Sequence, residues 1–238
     1  MDNNTHAINL GRQTNSELPS KYSQDYIINL YLFKDLKDAF ASYIKKGDYV
    51  FDIGCGNKPY EKDIRNIIKS DLTDHYVGCD VVQSSEQKVD IICEATNIPA
   101  DSSTYDIVIC TQVIEHVFDH AKIFEEAYRL LKPGGFFIVS SNFVWAMHEM
   151  PYDFYRFTKY AFRQLLTNAG FKVKAEKANG GKFAVLGQMI LHVLWLTVEN
   201  SFIRKTGALF CNWLFPKLDN KFKHDNTYTL NYVFVGEK

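Results

Sequence analysis

Apolar residues fall along this chain in two rhythms. Short, almost wholly apolar runs occur at Tyr49–Ile53, Tyr76–Cys79, Val89–Cys93, Tyr105–Cys110 and Phe136–Ser140. Runs this short, with little alternation, predict parallel strands buried on both faces. Between them the spacing turns helical. Ile27, Leu30, Tyr31, Phe33, Leu36, Phe40 and Ile44 predict an amphipathic helix over 25–46, stopped by Lys45-Lys46-Gly47. A helix over 60–69 follows the first strand, with Asn57 as its cap and Pro59 in its first turn. Another spans 121–131 and stops at Lys132-Pro133-Gly134-Gly135, and Thr158 caps a third that ends at Gly170. Two further strands are expected over 171–178 and 228–235, the latter with Tyr228, Leu230, Tyr232 and Phe234 on one face. This alternation predicts an α/β fold with a doubly wound parallel sheet, and 238 residues suit one domain over 1–238.

Two segments stand outside the alternation. Residues 1–24 are polar and aperiodic, expected as a flexible leader or as a flap over a ligand. Gly180–Thr227 is too long for a hairpin turn between strands. It opens with the nearly charge-free run Phe183–Val198, passes Arg204 and Lys205, and continues in a second apolar stretch, Leu209–Leu214. Sixteen residues fall short of the ~20 that span a bilayer. Three roles stay open for this apolar helical insert over 180–227: a cap on an acceptor pocket, a homodimer interface, or a peripheral membrane contact through 183–214.

Composition narrows the class. A hydrophobic share of 46% with 23% charge is ordinary for a globular protein, and the formal net charge of −1 gives no support for nucleic acid as the main partner. Fourteen tyrosines and eighteen phenylalanines exceed what a core needs, so some are expected to line a cavity or a contact surface. None of the five cysteines forms a Cys-x-x-Cys pair, and the N-terminus has no apolar signal region, which together predict reduced thiols and a cytoplasmic protein.

The candidate chemistry starts at the first strand. Asp52-Ile53-Gly54-Cys55-Gly56 is an apolar run, an acid and a Gly-x-Gly turn, the handover from a buried strand to a helix at a nucleotide-type site. The turn alone serves dinucleotides and S-adenosylmethionine alike. Asp52 separates them: a carboxylate here repels a pyrophosphate, but attracts a ligand that carries a sulfonium and an ammonium. Asp80 closes the second strand, where one carboxylate can accept from both ribose hydroxyls, and Glu94 closes the third, within reach of an adenine amine. All three acids are expected at the carboxyl edge of the sheet.

These residues, together with Gly78-Cys79-Asp80, Glu94-Ala95-Thr96-Asn97-Ile98-Pro99, Tyr105–Ile109, Gln112–Val117 and Leu131–Gly135, resemble the class I S-adenosylmethionine-dependent methyltransferases over about residues 49–141. The resemblance implies a Rossmann-like seven-stranded sheet of order 3-2-1-4-5-7-6 with the last strand antiparallel, and S-adenosyl-L-methionine as cofactor. It implies cofactor contacts from Asp52, Gly54, Cys55, Gly56, Asp80, Val81, Glu94, Ala95, Thr111 and Gln112.

Methyl transfer is an in-line displacement in which the cofactor supplies the leaving group, so the protein mainly positions the acceptor. The segment 142–158 is dense in His, acids, Arg and aromatics. His148 is the candidate general base, and Glu149 and Asp153 are placed to orient it or to hold sugar hydroxyls. Arg156 either holds an acceptor anion or pairs with Asp153, and Trp145, Tyr152 and Tyr155 offer a stacking wall. His116 completes the catalytic candidates. Gln112-x-x-Glu115-His116 is similar to the Glu-x-x-Glu-His of metal-assisted 2′-O- and ubiquinone-type methyltransferases, with His148 as a further ligand, but the first position is the weaker Gln, so no metal is the first expectation. The segment 150–158 with Phe162, Leu165 and 169–171 is similar to a methyltransferase subgroup associated with polysaccharide and glycoconjugate biosynthesis. That implies O-methylation of a sugar, nucleotide-sugar or lipid-linked glycan at or near the cytoplasmic membrane face. A quinone or natural-product acceptor, or a catalytically idle partner subunit, remains as an alternative. There is no Asn/Asp-Pro-Pro-Tyr or Pro-Cys after the fourth strand, which argues against adenine-N6 and cytosine-C5 chemistry.

Overall fold

A computed structural model describes residues 16–222 and 226–238. Helix α1 is Tyr26–Tyr43, followed by β1 Val50–Ile53, α2 Glu61–Ile68, β2 Tyr76–Asp80, β3 Ile91–Ile92, β4 Tyr105–Thr111, α3 His120–Leu130, β5 Leu131–Asn142, α4 Lys159–Asn168, β6 Lys172–Asn179, α5 Lys182–Thr197, α6 Ser201–Lys221 and β7 Asn231–Glu237. The seven strands form one sheet in the order β3-β2-β1-β4-β5-β7-β6. Neighbours run parallel from β3 to β5, and β7 runs antiparallel to both β5 and β6. The expected order and the antiparallel last strand are therefore observed.

Side chains on successive strand positions face opposite sides, and the core divides accordingly. Phe51, Ile53, Val108, Cys110, Phe137 and Val139 pack with Phe124, Ala127, Phe162 and Leu166 of α3 and α4. Val50, Ile107, Ile109, Ile138 and Val233 pack with Leu36, Phe40, Ile64 and Ile68 of α1 and α2. Both faces of β1, β4 and β5 are thus covered, which is why their sequences read as continuous apolar runs.

Several boundaries differ from the sequence expectation. α1 ends at Tyr43, with Ile44 extended, and Gly47 (φ +85°) serves the following turn rather than capping the helix. Asn57 does not cap α2; its Oδ1 accepts from Ser85 Oγ (3.2 Å) and Glu86 N–H (3.2 Å), tying the first turn to the 83–88 loop. β3 is only two residues long; ahead of it Asp90 keeps a main-chain bond to Gly78 O (3.0 Å), and its carboxylate turns back, Oδ2 accepting from Gly78 N–H (2.7 Å) and pairing with Lys58. Lys132–Gly135 does not separate α3 from a later strand: β5 begins at Leu131, which pairs with Tyr105, and a register irregularity absorbs the glycines. Tyr228 stays exposed ahead of β7. Thr158 caps α4 as expected, accepting from Ala161 N–H at 3.3 Å.

The insert is a pair of packed helices, α5 and α6. Gly187 allows their close approach, since a Cβ there would stand 2.5 Å from the Phe215 ring. Asp219 of α6 satisfies the start of α5, accepting from Gly181 (2.8 Å), Phe183 (3.2 Å) and Ala184 (3.2 Å) N–H groups. The pair packs on Ile27 and Ile28 of α1. Buried Gln188 anchors it, accepting from Ile28 N–H (3.3 Å) and donating to Gln24 O (2.9 Å). Asn212 donates to Lys21 O and Ser23 O at 2.8 Å each, so the 16–24 part of the leader is held against the insert. Residues 1–15 of the expected leader lie outside the described residues.

Candidate active site

A cavity of about 770 Å³ opens at the carboxyl ends of β1, β2 and β4. All ten residues singled out for cofactor contact line it: Asp52, Gly54, Cys55, Gly56, Asp80, Val81, Glu94, Ala95, Thr111 and Gln112. The sheet brings them together because each closes a neighbouring parallel strand or opens the loop behind it, the place where open α/β sheets bind ligands.

The turn after β1 is held by main-chain bonds. Gly54 and Cys55 N–H both donate to Cys79 O, at 2.8 and 2.9 Å. Gly54 adopts φ +71°, and a Cβ there would strike the Val113 side chain at 2.3 Å, so only glycine fits. Asp80 uses both carboxylate oxygens to fix the floor: Oδ2 accepts from Gly56 N–H (3.0 Å) and Oδ1 from Val81 N–H (2.8 Å). Asp52 is buried and accepts from Tyr76 Oη at 2.6 Å. Burial drives its carboxyl up to about 7, with Asp80 and Asp90 adding repulsion, against the opposing Tyr76 bond and the Lys58 charge. Glu94 stays exposed at the rim, bonded only weakly to Thr96 Oγ1 at 3.4 Å.

The other half of the cavity is built from the loops after β4 and β5. Glu115 and His116 lie on a single helical turn, Ile114–His116. Glu115 is fully buried; its Oε1 accepts from Asn142 Nδ2 (3.0 Å), while Oε2 has no hydrogen bond among the described residues. Burial raises its carboxyl above the usual range, despite the neighbouring His116 and Arg156. Its main-chain carbonyl accepts from Phe154 (2.9 Å) and Tyr155 (3.3 Å) N–H groups, which docks the second loop on the first. His116 Nδ1 lies 2.8 Å from Tyr152 O. A carbonyl only accepts, so Nδ1 carries the proton that faces it. The His148 ring meets that of His116 edge to face at 4.6 Å. Burial and the nearby His116 push His148 below its ordinary range, so it is the neutral form that faces this cluster near pH 7.

Asp153 and Arg156 take a different part. Arg156 clamps Asp153 with Nη1–Oδ1 and Nη2–Oδ2 distances of 2.6 and 2.8 Å and donates to Ala146 O (3.0 Å) and Tyr155 O (2.8 Å). Asp153 also accepts from His148 N–H at 2.9 Å; burial opposes its ionisation, but Arg156 and His148 prevail and hold the carboxyl at about 2. Neither residue lines the cavity; both brace the 145–156 loop, the pairing being the realised alternative for Arg156, and Asp153 Oδ2 also lies 3.4 Å from His148 Nδ1, on the ring it was expected to orient. Tyr155 likewise lies behind the wall, whereas Trp145, His148, Glu149, Tyr152 and Phe154 face it.

Some lining residues escaped the sequence reading. The first turns of α1 contribute Asp25, Ile28, Asn29 and Leu32, and Phe118 and Asn142 add to the acceptor side. The signal was present in α1, where polar Asp25 and Asn29 share a helix face with apolar Leu32. No residue of α5 or α6 lines the cavity, so the insert is a buttress rather than a cap: His192 of α5 supports Trp145 edge to face at 4.5 Å.

Glu115, His116 and His148 form the cluster able to approach a metal ion, with one ligand atom of each within 4.8 Å of the others. Donors in a shell of ~2.0–2.1 Å bonds stand only about 3.4 Å apart in a tetrahedron. The side chains must close inward to hold an ion, although the unpartnered Glu115 Oε2 suits one. Gln112 lines the same cavity, and its Nε2 donates to Ser140 Oγ at 3.1 Å.

Residues 51–139 match the family model described as a methyltransferase domain. Among curated proteins, the chain is 32% identical over 119 residues to the tRNA (carboxymethyluridine(34)-5-O)-methyltransferase ALKBH8 of Mus musculus, covering 46% of this chain and 16% of that protein. It is 29% identical over 103 residues to a ubiquinone biosynthesis O-methyltransferase of Paraburkholderia phymatum, covering 40% and 44%. The chain thus spans less than half the length of these relatives. Among solved structures, an S-adenosylmethionine-dependent methyltransferase from Archaeoglobus fulgidus superposes with a TM-score of 0.57 at 14% identity, over 91% of this chain and 95% of that one. The [4+2]-cyclase SpnF superposes with 0.58 at 16% identity, over 87% and 81%. Both share the fold. With several relatives named for a tRNA substrate, the expectation that nucleic acid is not a partner gains no support.

Proposed function

We propose, starting from the methyltransferase domain matched by residues 51–139, that the protein transfers a methyl group from S-adenosyl-L-methionine to a hydroxyl of a small or glycan-related acceptor. The observation that carries this reading is the continuity of the cavity: three strand-end acids line one half, and two histidines with Trp145, Tyr152 and Phe154 line the other. A volume of about 770 Å³ accommodates a nucleoside cofactor with a small acceptor. It also argues against an idle partner subunit, whose acceptor half would be filled by its own aromatics.

In this reading Asp80 holds the ribose and Glu94 the adenine edge, while Gly54–Gly56 lets the main chain approach the methionine part. The acceptor oxygen attacks the methyl carbon in line with the departing sulfur, and its proton passes to a neutral imidazole of the His116–His148 pair. Aromatic walls with Glu149 at the rim favour a flat, hydroxylated acceptor such as a sugar, and polysaccharide or glycoconjugate biosynthesis is the setting we assign. A second reading places a divalent ion on Glu115, His116 and His148, which would bind the acceptor oxygens and lower their proton affinity; the unpartnered Glu115 Oε2 favours it.

Labelled-methyl transfer into extracts separated into nucleotide-sugar, lipid-linked, polymer and RNA fractions tests the assignment. Label in a carbohydrate-containing fraction is the expected result; label confined to RNA refutes the glycan acceptor, and no incorporation with any fraction refutes transfer.

Asp52 makes cofactor binding pH-dependent. Its carboxyl sits at about 7 in the free site, and a bound cation favours the ionised form. Binding therefore expels a proton below that value: affinity rises with pH up to about 7 and is flat above it. S-adenosylhomocysteine titrated by calorimetry is expected to bind on the order of tenfold more weakly at pH 6 than at pH 8. Asp52→Asn is expected to flatten that profile; an unaltered slope would assign the proton to another group.

A further inference from the structure

The helices of the insert leave a large surface that the site does not use. On α5, Leu186 (49% exposed), Ile190, Val193 and Leu196 (83%) recur at helical spacing opposite the buried Ala184, Gln188 and Leu191. On α6, Phe202 (76%), Leu209, Phe210 and Trp213 (50%) do the same opposite Ala208, Cys211 and Phe215. Solvated helices of a globular protein rarely present two such stripes.

Charge tells what covers them. The segment 182–222 carries five cations, Lys182, Arg204, Lys205, Lys217 and Lys221, against two acids. Of the acids, Asp219 is turned inward as the cap of α5, and Glu199 sits in the connecting turn. The remaining chain has 22 cations against 26 acids, so a cationic apolar hairpin projects from an acidic body. One of the cations lies against an exposed aromatic, Lys217 Nζ 4.2 Å from the Trp213 ring centre, while Arg204 packs 5.6 Å from the ring centre of the partly buried Trp195. Long cationic stems beside Trp, with apolar side chains between them, suit the boundary between anionic headgroups and acyl chains. A second copy is a poorer occupant, because a two-fold contact would set this cationic face against itself. Among the described residues no helix is long and apolar enough to cross a membrane, so the hairpin lies along the surface rather than spanning it.

We propose that the outer face of α5 and α6 docks the protein on an anionic lipid bilayer. The inner face carries the position of the membrane to the site. Gln188 holds α1, which lines the cavity through Asp25, Ile28, Asn29 and Leu32, and His192 holds Trp145 on the acceptor wall. The docked enzyme thus has its acceptor side braced by the membrane-bound element, the arrangement an acceptor with a lipid tail requires. Docking itself stands independently of the methyltransferase reading.

Flotation of the full-length protein with phosphatidylcholine vesicles, and with vesicles also containing phosphatidylglycerol, tests the proposal. The protein is expected to float with the anionic vesicles, less at high salt, and hardly at all with phosphatidylcholine alone. Lys205→Glu with Lys217→Glu is expected to lower the bound fraction at least about tenfold. Leu196→Ser with Phe202→Ser, both at exposed positions, is expected to abolish it while S-adenosylhomocysteine affinity and the melting temperature stay unchanged. Failure of the wild type to float with anionic vesicles overturns the proposal, as does flotation that these variants leave intact. A dimer in light scattering that Leu196→Ser with Phe202→Ser dissolves, in a protein that does not float, assigns the face to a second copy instead.

Discussion

Asp80→Ala is expected to weaken S-adenosylhomocysteine binding by about a hundredfold or more, with the fold retained. Two effects add. The carboxylate would lose its bonds to two ribose hydroxyls, and a hydrogen bond to a charged group contributes about 1.5–3 kcal/mol. It also frees the Gly56 and Val81 N–H groups that its two oxygens now hold at 3.0 and 2.8 Å, so the turn facing the methionine part loses its anchor. Asp80→Asn separates the two. It keeps one acceptor and the side-chain shape, so it is expected to lose less affinity than alanine does. Calorimetric titration beside a thermal melt checks both variants. Wild-type affinity in Asp80→Ala would remove the ribose role, and with it the assignment of this half of the cavity to a nucleoside.

The strand-end half of the cavity was legible because its positions follow from short-range rules. A buried strand ends where the apolar run meets an acid or a glycine, and parallel pairing then sets those ends side by side. Asp52 pairs in register with Gly78 and Ile109, and Asp80 with Ile92, so one edge collects them without any long-range information. Where the rule failed, a side chain overrode it. The Asp90 carboxylate turned back to Lys58 and Gly78 N–H, and Asn57 bonded forward to the 83–88 loop instead of back to its helix.

The acceptor half was less legible, and the reason is main-chain bonding. His148, Asp153 and Arg156 are close in sequence and look alike as candidates. What distinguishes them is that Arg156 spends its donors on Ala146 and Tyr155 carbonyls and on Asp153, which no residue pattern announces. His116 is oriented by the Tyr152 carbonyl, 36 residues along the chain, a partner any residue at 152 would supply. The contribution of α1 was hidden for another reason. Its apolar face reads as packing on the sheet, which is true of Leu36 and Phe40, but its first turns run past the sheet edge to the cavity. The insert showed its helices and its apolar excess in sequence; its place outside the cavity depended on Gln188 and Asp219, two polar residues whose partners lie far away.

His148→Ala is expected to lower turnover by about 10²–10⁴-fold while S-adenosylhomocysteine affinity stays within about twofold, because the ring lies in the acceptor half and touches none of the strand-end acids. Both readings of the cluster predict this loss, so a second measurement decides between them. Glu115 is the discriminating residue. As part of a protein-only site its buried carboxyl only holds Asn142, the loop being docked by the Glu115 main-chain carbonyl, and Glu115→Gln, which keeps the Oε1 acceptor for Asn142 Nδ2, is expected to retain most turnover. As an ion ligand it supplies the negative charge of the set, and the same substitution removes activity together with His116→Ala. Dialysis against a chelator follows the same division: turnover persists with an imidazole base, and collapses with recovery on adding back a divalent ion if the cluster closes around one. The separations of up to 4.8 Å favour the first outcome, since an ion would first have to draw three side chains inward. Normal turnover in His148→Ala would exclude His148 as base or ligand and leave His116, whose Nδ1 faces the Tyr152 carbonyl, as the remaining imidazole of the pair.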